Sequence, residues 1–589
     1  MRDDAPLTYD TPTLPGAAAR AALAGTPAHA PSPAASPADV GRLGRRTTAL
    51  WRAAPALLFA LGAALRLRQY VWGRSLWVDE AFLALSIASR SFARLTEPLG
   101  WDQTAPLLFL WLERAAVTLF GVNERALRLV PLIAGLALLP AVYALGRRLL
   151  GHRAGTVALA IAALSPSLIR YSNEADSYAF DPLVTALLAL VTFEVVDDPA
   201  ARRPWVLLAV GGALALVLST PAVFGLAGVG AALLAAPAVR RWSGGVAWTV
   251  AIGALWVGLF AVVYFTLLRP AAGSEFLRQF FGPTFLNPGA PNFRSRLIEG
   301  VWRTVHPTIY LPGFPVLAKP LVLVVAAVGL VAQARRWGAF ASLLFAIPFV
   351  AAFTAAAVEQ YPVIPRTMLF AAPLLIVLLI AGGVALAQWL PRSMQQPALV
   401  VGALALTVPA AGADTRDAIH PWHDFDARAV VQDLERRREG REPVYVSYYA
   451  RPGYVFYTTD WSAPDTERVN WWDLARSPRA PGDRVLPEPA DSGDPFARSY
   501  RGRVELAQRL APGLFRTFLG DSMLVRPPSE WADRDAERIR AHARPYAWVL
   551  FGGSHENTSF IETLARYGGQ VVYRNATAPD MYLYHVRFD

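Results

Sequence analysis

Thr367–Leu390 reads TMLFAAPLLIVLLIAGGVALAQWL, a stretch without one charged side chain. At about 1.5 Å of rise per helical residue it exceeds the roughly 30 Å hydrocarbon core of a bilayer. Comparable apolar runs lie near 50–65, 127–146, 154–170, 178–196, 205–219, 222–238, 246–268, 319–333, 338–357 and 396–412. Bulk composition points the same way: 54% of the 589 residues are hydrophobic and 17% charged. A soluble chain carries about a quarter charged. The formal charge of +11 is almost all arginine, with Lys319 the only lysine. These arginines sit between apolar runs, where they set topology, so nucleic acid is not expected as a partner. With no cysteine in the chain, disulfides and thiolate metal sites are excluded.

Orientation follows from the arginines. A twelfth run, 105–120, is short and carries Glu113 and Arg114 in its middle. If every run spanned, Arg147, Arg148 and Arg153 would face outward, against the positive-inside tendency. Laying 105–120 along the interface as an amphipathic helix puts Arg147–Arg153, Arg202–Arg203, Arg240–Arg241 and Arg335–Arg336 on the cytoplasmic side. About eleven spanning helices result. The expected organisation is a disordered cytoplasmic tail over 1–46, an all-α polytopic membrane domain over 47–412, and an extracytoplasmic soluble α/β domain over 413–589. In the last, Val444–Tyr449, Tyr546–Phe551, Val571–Tyr573 and Met581–Val586 read as strands, and Asp426–Arg438 and Phe560–Tyr567 as helices.

Residues capable of chemistry gather on the outward side. Asp79 and Glu80 in Trp77-Val78-Asp79-Glu80 follow the first helix. Neighbouring side chains point about 100° apart on a helix, so one can enter a site while the other supports it; capping of a solvated helix start is the bland alternative. Tyr171-Ser172-Asn173-Glu174-Ala175-Asp176-Ser177-Tyr178 opens a later helix, with Asp181 about a turn inside the apolar region. A carboxylate there needs a partner or a cavity, whereas Glu174 is also explained by capping. Asp102 and Gln103 precede the interfacial run. Arg366 stands at the outward mouth of Thr367–Leu390, and Arg303 and Lys319 flank the loop 269–318; each can bind phosphate or simply anchor at the interface. No metal-ligand spacing rises above background, so neither metal nor cofactor is expected.

Taken together, these residues resemble a family. The acidic pair after helix one, Gln103-Thr104-Ala105-Pro106, Tyr171-Ser172-Asn173-Glu174, the stretch Gly121–Leu129 and Arg366-x-x-x-Phe370-x-x-Pro373 are similar to the bacterial GT-C glycosyltransferases. These are polyprenyl-phosphate-sugar-dependent enzymes of glycosyltransferase family 39 and the RgtA-B-C-D-like group, related to protein mannosyltransferases and the aminoarabinose transferase of lipid A. The resemblance covers roughly 50–390. It implies a GT-C-type fold in the bacterial cytoplasmic membrane, an active site facing outside, a polyprenyl-phosphate sugar as donor, and an envelope glycan, lipid or protein as acceptor.

The resemblance also implies roles. Asp79 is the expected catalytic base, with Glu80 and Glu174 as the other catalytic carboxylates. Arg366, Tyr178, Asp181, Lys319 and Arg303 are candidates for the donor and its phosphate, and Asp102 and Gln103 for the acceptor side of the cavity. One departure matters: relatives carry Arg or Lys two residues after the motif's Glu, where this chain has Asp176. Transfer of a sugar from a lipid phosphate needs a base for the acceptor hydroxyl and positive charge where the phosphate leaves. The alternatives are a transporter or flippase of lipid-linked glycans, which would show repeated halves, and a non-catalytic sugar-binding protein, in which Asp79 and Glu174 would not share a cavity.

Overall fold

Apolar runs bounded by polar caps and glycines become the helices of a bundle. The computed structural model describes residues 37–99, 103–273, 275–309, 318–419, 425–439, 442–447, 449–462, 517–519, 528–543, 545–552, 557–578 and 580–588. By contacts, Met1–Ala53 is one unit and Ala54–Asp589 another. Helix α1 (Pro37–Trp72) starts inside the stretch expected to be tail. It is followed by α2 (Val78–Ser89), α3 (Leu107–Phe120) and α4 (Glu124–Leu150). At 14 residues, α3 is too short to cross a bilayer. It exposes Trp111, Leu112, Leu119 and Phe120 while burying Phe109, Leu110 and Glu113. Gly121, at φ +78°, turns the chain, and the Asn123 side chain accepts the Ala126 N–H at 2.9 Å to start α4.

The run 154–170, expected as one span, is two pieces: α5 (His152–Ala163) and α6 (Pro166–Tyr171). Ser165 caps the second piece, accepting from Leu168 N at 3.4 Å. Pro166, lacking an N–H, starts a helix rather than continuing one. Then come α7 (Phe180–Asp197), α8 (Arg202–Leu218), α9 (Ala222–Ala235), α10 (Pro237–Arg241), α11 (Gly245–Val263), α12 (Arg269–Ala272) and α13 (Glu275–Phe281). The rest of the bundle is α14 (Phe293–Val305), α15 (Ala318–Trp337), α16 (Ala339–Ala357), α17 (Ala372–Ala387) and α18 (Arg392–Ile419). Among the described residues, seven helices are long and apolar enough to cross a membrane. They are Glu124–Leu150, Ser177–Asp197, Gly245–Leu268, Pro320–Trp337, Ala339–Ala357, Thr367–Ala387 and Arg392–Ile419.

Small residues bring helices together. A Cβ on Gly329 would lie 1.9 Å from the Leu378 carbonyl oxygen, and one on Gly382 1.9 Å from that of Val325. The backbones of α15 and α17 therefore meet directly, as small-residue contacts in membranes allow.

The C-terminal part is α/β. It comprises α19 (Ala427–Arg437), β1 (Val444–Val446), α20 (Arg451–Thr458), β2 (Thr517–Leu519), α21 (Pro528–His542), β3 (Tyr546–Gly552), α22 (Asn557–Arg566), β4 (Gly569–Ala578) and β5 (Met581–Phe588). The sheet order is β2-β1-β3-β5-β4. β1 runs parallel to β2 and β3, while β5 is antiparallel to β3 and β4. Alternation sorts the faces: Trp548, Leu550 and Leu583 point to one side, and Val549, Phe551 and Val586 to the other.

This domain grips the loop after α1. The Ser75 hydroxyl donates to the Phe425 carbonyl at 2.6 Å. Arg428 donates to the Gly73 carbonyl at 2.8 Å and pairs with Glu124 at 2.9 Å. The Tyr457 hydroxyl accepts from Leu76 N at 2.8 Å and donates to Glu124 at 2.9 Å.

Gly329→Ala should push α15 from α17 and cost about 1–3 kcal/mol. Thermal unfolding in detergent checks this, with Gly402→Ala, where a Cβ meets open space, as the unaffected control.

Candidate active site

The neighbouring carboxylates Asp79 and Glu80 have opposite surroundings because adjacent helical side chains diverge. Glu80 points inward and is 1% exposed. Arg128 of α4 grips it with two bonds, Nε to Oε1 at 2.8 Å and Nη2 to Oε2 at 2.6 Å. Arg74 adds a third at 3.0 Å. The backbone N–H groups of Ala175 and Trp77 donate at 2.8 and 3.1 Å. Burial raises this carboxyl's pKa, but Arg128 and Arg74 prevail and hold it down at about 2. With all these bonds made, Glu80 is a fastener, and the base role offered to it by its position goes unsupported. Arg128 also donates to the carbonyls of Arg74 and Ser75 at 2.6 and 3.0 Å. The loop 74–80 and the segment around Ala175 are thereby fixed to one helix.

Asp79 faces the other way. Its carboxylate accepts from Arg366 at 2.5 Å, across 287 positions of sequence. The Arg366 guanidinium lies 5.7 Å from the ring centres of both Trp77 and Tyr178, within cation–π reach of each. Local bonds aim it there: the Thr367 hydroxyl accepts from Ile364 N at 3.2 Å and donates to the Pro362 carbonyl at 2.6 Å. The Tyr361 hydroxyl donates to the Thr367 carbonyl at 2.6 Å.

The second acidic segment lies against this pair. Ser172 approaches α4 so closely that a Cβ on Gly135 would sit 2.0 Å from its hydroxyl. Glu174 is buried, with Arg170 Nε 3.6 Å from Oε2. Burial raises its pKa, and the nearby Arg170 only partly offsets that. Asp176 accepts from Ser177 N at 2.6 Å and starts the turn leading into Tyr178. Burial, then the neighbouring Glu174, pushes its carboxyl up to about 7. Three buried polar atoms around this cluster lack a hydrogen-bond partner among the described residues: Trp77 Nε1, Arg366 Nε and Glu174 Oε2. Such atoms are costly unless a ligand or water meets them.

Other expected residues lie elsewhere. Asp181, inside α7, accepts from the Ser219 hydroxyl at 2.7 Å and is satisfied there. Arg303 pairs with Glu299 at 2.6 Å and donates to the Val363 carbonyl at 3.2 Å, steadying the loop before Arg366. Lys319 begins α15, with its side chain outside the described residues, and Asp102 is outside them altogether. Gln103 is partly exposed ahead of α3.

Four residues were not among the expected site residues: Arg74, Arg128, Arg170 and Glu113. Arg170 stands one helical turn before Glu174, a spacing that signals pairing. Arg128 sits near the start of an apolar helix, where a cation calls for a partner. Glu113 is fully buried with both carboxylate oxygens unpartnered among the described residues. Among the same residues no group of three or more His, Asp or Glu is placed to hold a metal ion.

Residues 104–265 match the family described as dolichyl-phosphate-mannose-protein mannosyltransferase. Among solved structures the chain is similar to ArnT from Cupriavidus metallidurans bound to undecaprenyl phosphate. The identity is 14% and the TM-score 0.45, over 91% of this chain and 97% of that one. The apo form of the same protein gives 15% identity and a TM-score of 0.45, over 90% and 97%. The Archaeoglobus fulgidus oligosaccharyltransferase complex with zinc and sulfate gives 12% and 0.45, over 89% and 72%. A search of curated protein sequences returns no match. The family match is confined to residues 104–265, which run from the segment before α3 to just past the end of α11.

Two outcomes follow from the geometry. Glu80→Gln strands buried arginines and should destabilise the fold by about 3–5 kcal/mol, whereas Asp79→Asn should change the unfolding temperature little; calorimetry in detergent separates them. Second, Asp176 is neutral below about pH 7 and charged above it. Dimethyl phosphate, a diester singly charged throughout this range, should therefore bind near Arg366 more weakly as pH rises from about 6 to 8. Asp176→Asn should flatten that dependence in equilibrium binding.

Proposed function

We propose that this membrane bundle, whose residues 104–265 carry the mannosyltransferase-family pattern, moves a sugar from a polyprenyl-phosphate donor to a hydroxyl-bearing envelope acceptor on the extracytoplasmic side. The observation that carries the reading is the meeting of Asp79 and Arg366 at 2.5 Å, with Arg366 Nε unsatisfied beside them.

In this reading Arg366 receives the donor phosphate. Its Nε and whichever N–H groups Asp79 releases form charge-assisted bonds to phosphate oxygens. The Trp77 and Tyr178 rings, each 5.7 Å from the guanidinium, help hold it in place and offer apolar faces of the kind that sugars contact. Once the phosphate takes over Arg366, Asp79 is free to accept the acceptor hydroxyl's proton as that oxygen attacks the anomeric carbon. The bond from that carbon to the phosphate oxygen breaks, and the leaving phosphate keeps the electron pair. Arg366 stabilises the growing charge, an interaction stronger in the transition state than in the ground state. Glu174, unsatisfied at Oε2, accepts a sugar hydroxyl and thereby orients the ring.

The Asp176 departure fits this arrangement. The cation that relatives carry in the motif is absent, while Arg366, Arg74 and Arg170 surround the segment. Positive charge for the phosphate is drawn from these other elements.

The test is transfer of radiolabelled sugar from purified polyprenyl-phosphate donors to an envelope extract. Wild type should label the acceptor. Asp79→Asn should lower the rate by about 10²–10⁴-fold. Arg366→Gln should lose comparable activity, and Asp181→Asn should retain most of it. Full activity in Asp79→Asn would remove the base from this position.

A further inference from the structure

A cavity lies against the Arg74 and Arg170 side of the candidate site. It measures about 220 Å³, and its polar lining consists chiefly of Arg74, Arg170, Asn173, His306, Asp414 and Asp417. The two arginines come from the loop after α1 and from α6, and His306 from the turn after α14. Both carboxylates come from the last turns of α18. Two of the lining atoms are buried without a hydrogen-bond partner among the described residues, Asn173 Oδ1 and Asp414 Oδ2. Their residues are only 4% and 5% exposed. Arg66, close enough to Asp414 to act on its charge, spends its bonds elsewhere: on Ser172 Oγ at 3.2 Å and on the carbonyls of Gly62, Ala162 and Ala163 at 3.0–3.3 Å.

The charge pattern selects the ligand. Arg74 and Arg170 already face Glu80 and Glu174, whereas Asn173 Oδ1 and Asp414 Oδ2 lack donors among the described residues, so the occupant has to bring N–H or O–H groups. A simple anion would meet Asp414 and Asp417, and a simple cation would meet Arg74 and Arg170. A zwitterion of matching size satisfies both sets. The surroundings select its source. The cavity lies between α1 and α18, which expose Leu57, Leu61, Val400, Val401, Leu404 and Val408 along their apolar lengths. Such helices meet acyl chains, and lipid headgroups collect at their polar ends.

We propose that this cavity binds the headgroup of a zwitterionic phospholipid with a primary ammonium, as in phosphatidylethanolamine. Asp414 and Asp417 accept from the ammonium, Asn173 Oδ1 adds a third acceptor, and Arg170 and His306 face the phosphodiester. Arg74 and Arg170 are also the arginines that pair with Glu80 and Glu174 at 3.0 and 3.6 Å. The bound headgroup therefore sits one ion pair from the candidate active site and steadies it from behind. This inference is independent of which reaction the site performs.

Native mass spectrometry of the full chain tests it, after exchange against equal amounts of phosphatidylethanolamine, phosphatidylglycerol and phosphatidylcholine. Phosphatidylethanolamine should be retained about tenfold over the other two, one lacking an ammonium and the other lacking its N–H donors, a ratio worth about 1.4 kcal/mol. Asp417→Asn, at the cavity rim, should lose that preference without unfolding, and the more buried Asp414→Asn should lose it as well. Equal retention of the three lipids by wild type, or an unchanged preference in Asp417→Asn, would overturn the proposal. Soluble glycerophosphoethanolamine should compete only at far higher concentration; competition at parity would overturn the lipid source and leave a soluble zwitterion.

Discussion

The Glu80 carboxylate is the fixed point of this structure. Two bonds from Arg128, one from Arg74 and the backbone donors of Trp77 and Ala175 converge on it in a buried place. The four partners come from three pieces of chain: Arg128 from a membrane helix, Arg74 and Trp77 from the loop after α1, and Ala175 from the second acidic segment. A buried carboxylate persists only when bonded on all sides, so these pieces have little freedom to move apart. Asp79, one residue away, inherits its position from that anchorage. The C-terminal domain tightens it further through Tyr457, Arg428 and Phe425, which hold Leu76, Gly73 and Ser75. The half-buried Asp79 carboxylate is thus held in place by a saturated neighbour, as precise sites require.

The adjacent charges are graded. Glu80 is fully compensated by arginine, Asp79 shares one arginine, Glu174 has a cation at 3.6 Å but no hydrogen bond to Oε2, and Glu113 has no partner at all among the described residues. Arginine accordingly holds the Glu80 carboxyl down, whereas burial raises those of Glu174 and Glu113. Acidification through the normal carboxylate range leaves the Glu80 pairing in place; its stabilising share is full above about pH 4.5 and fades only as pH falls toward 2. Protonation near neutrality instead concerns Asp176, and burial raises the neighbouring Glu174 carboxyl as well.

Much of this was legible beforehand because membranes are strict. Hydropathy and arginine placement exposed the bundle, since a bilayer core tolerates few alternatives. The late arginine and the acidic pair stood out at helix mouths. Strands such as Tyr546–Phe551 and Met581–Val586 announced themselves by composition. What stayed hidden depended on three-dimensional pairing. Nothing local in Asp79-Glu80 says which carboxylate is free, because that is decided by Arg128 and Arg74 arriving from elsewhere. The break at Ser165-Pro166 was present as a cap followed by a proline, yet the apolar run around it masked the signal. Asp181 looked exceptional inside an apolar helix, and Ser219, 38 residues away, supplies its ordinary explanation.

The claim that everything else rests on is a division of labour, in which Arg366 binds the donor phosphate and Asp79 takes the proton. Equilibrium binding of a sugar-free polyprenyl phosphate to wild type, Asp79→Asn and Arg366→Gln separates the two roles without any turnover. The account predicts that Asp79→Asn binds at least as tightly as wild type, because removing the competing carboxylate frees Arg366, while Arg366→Gln binds far more weakly. Equal loss in both variants, or full binding in Arg366→Gln, would contradict it.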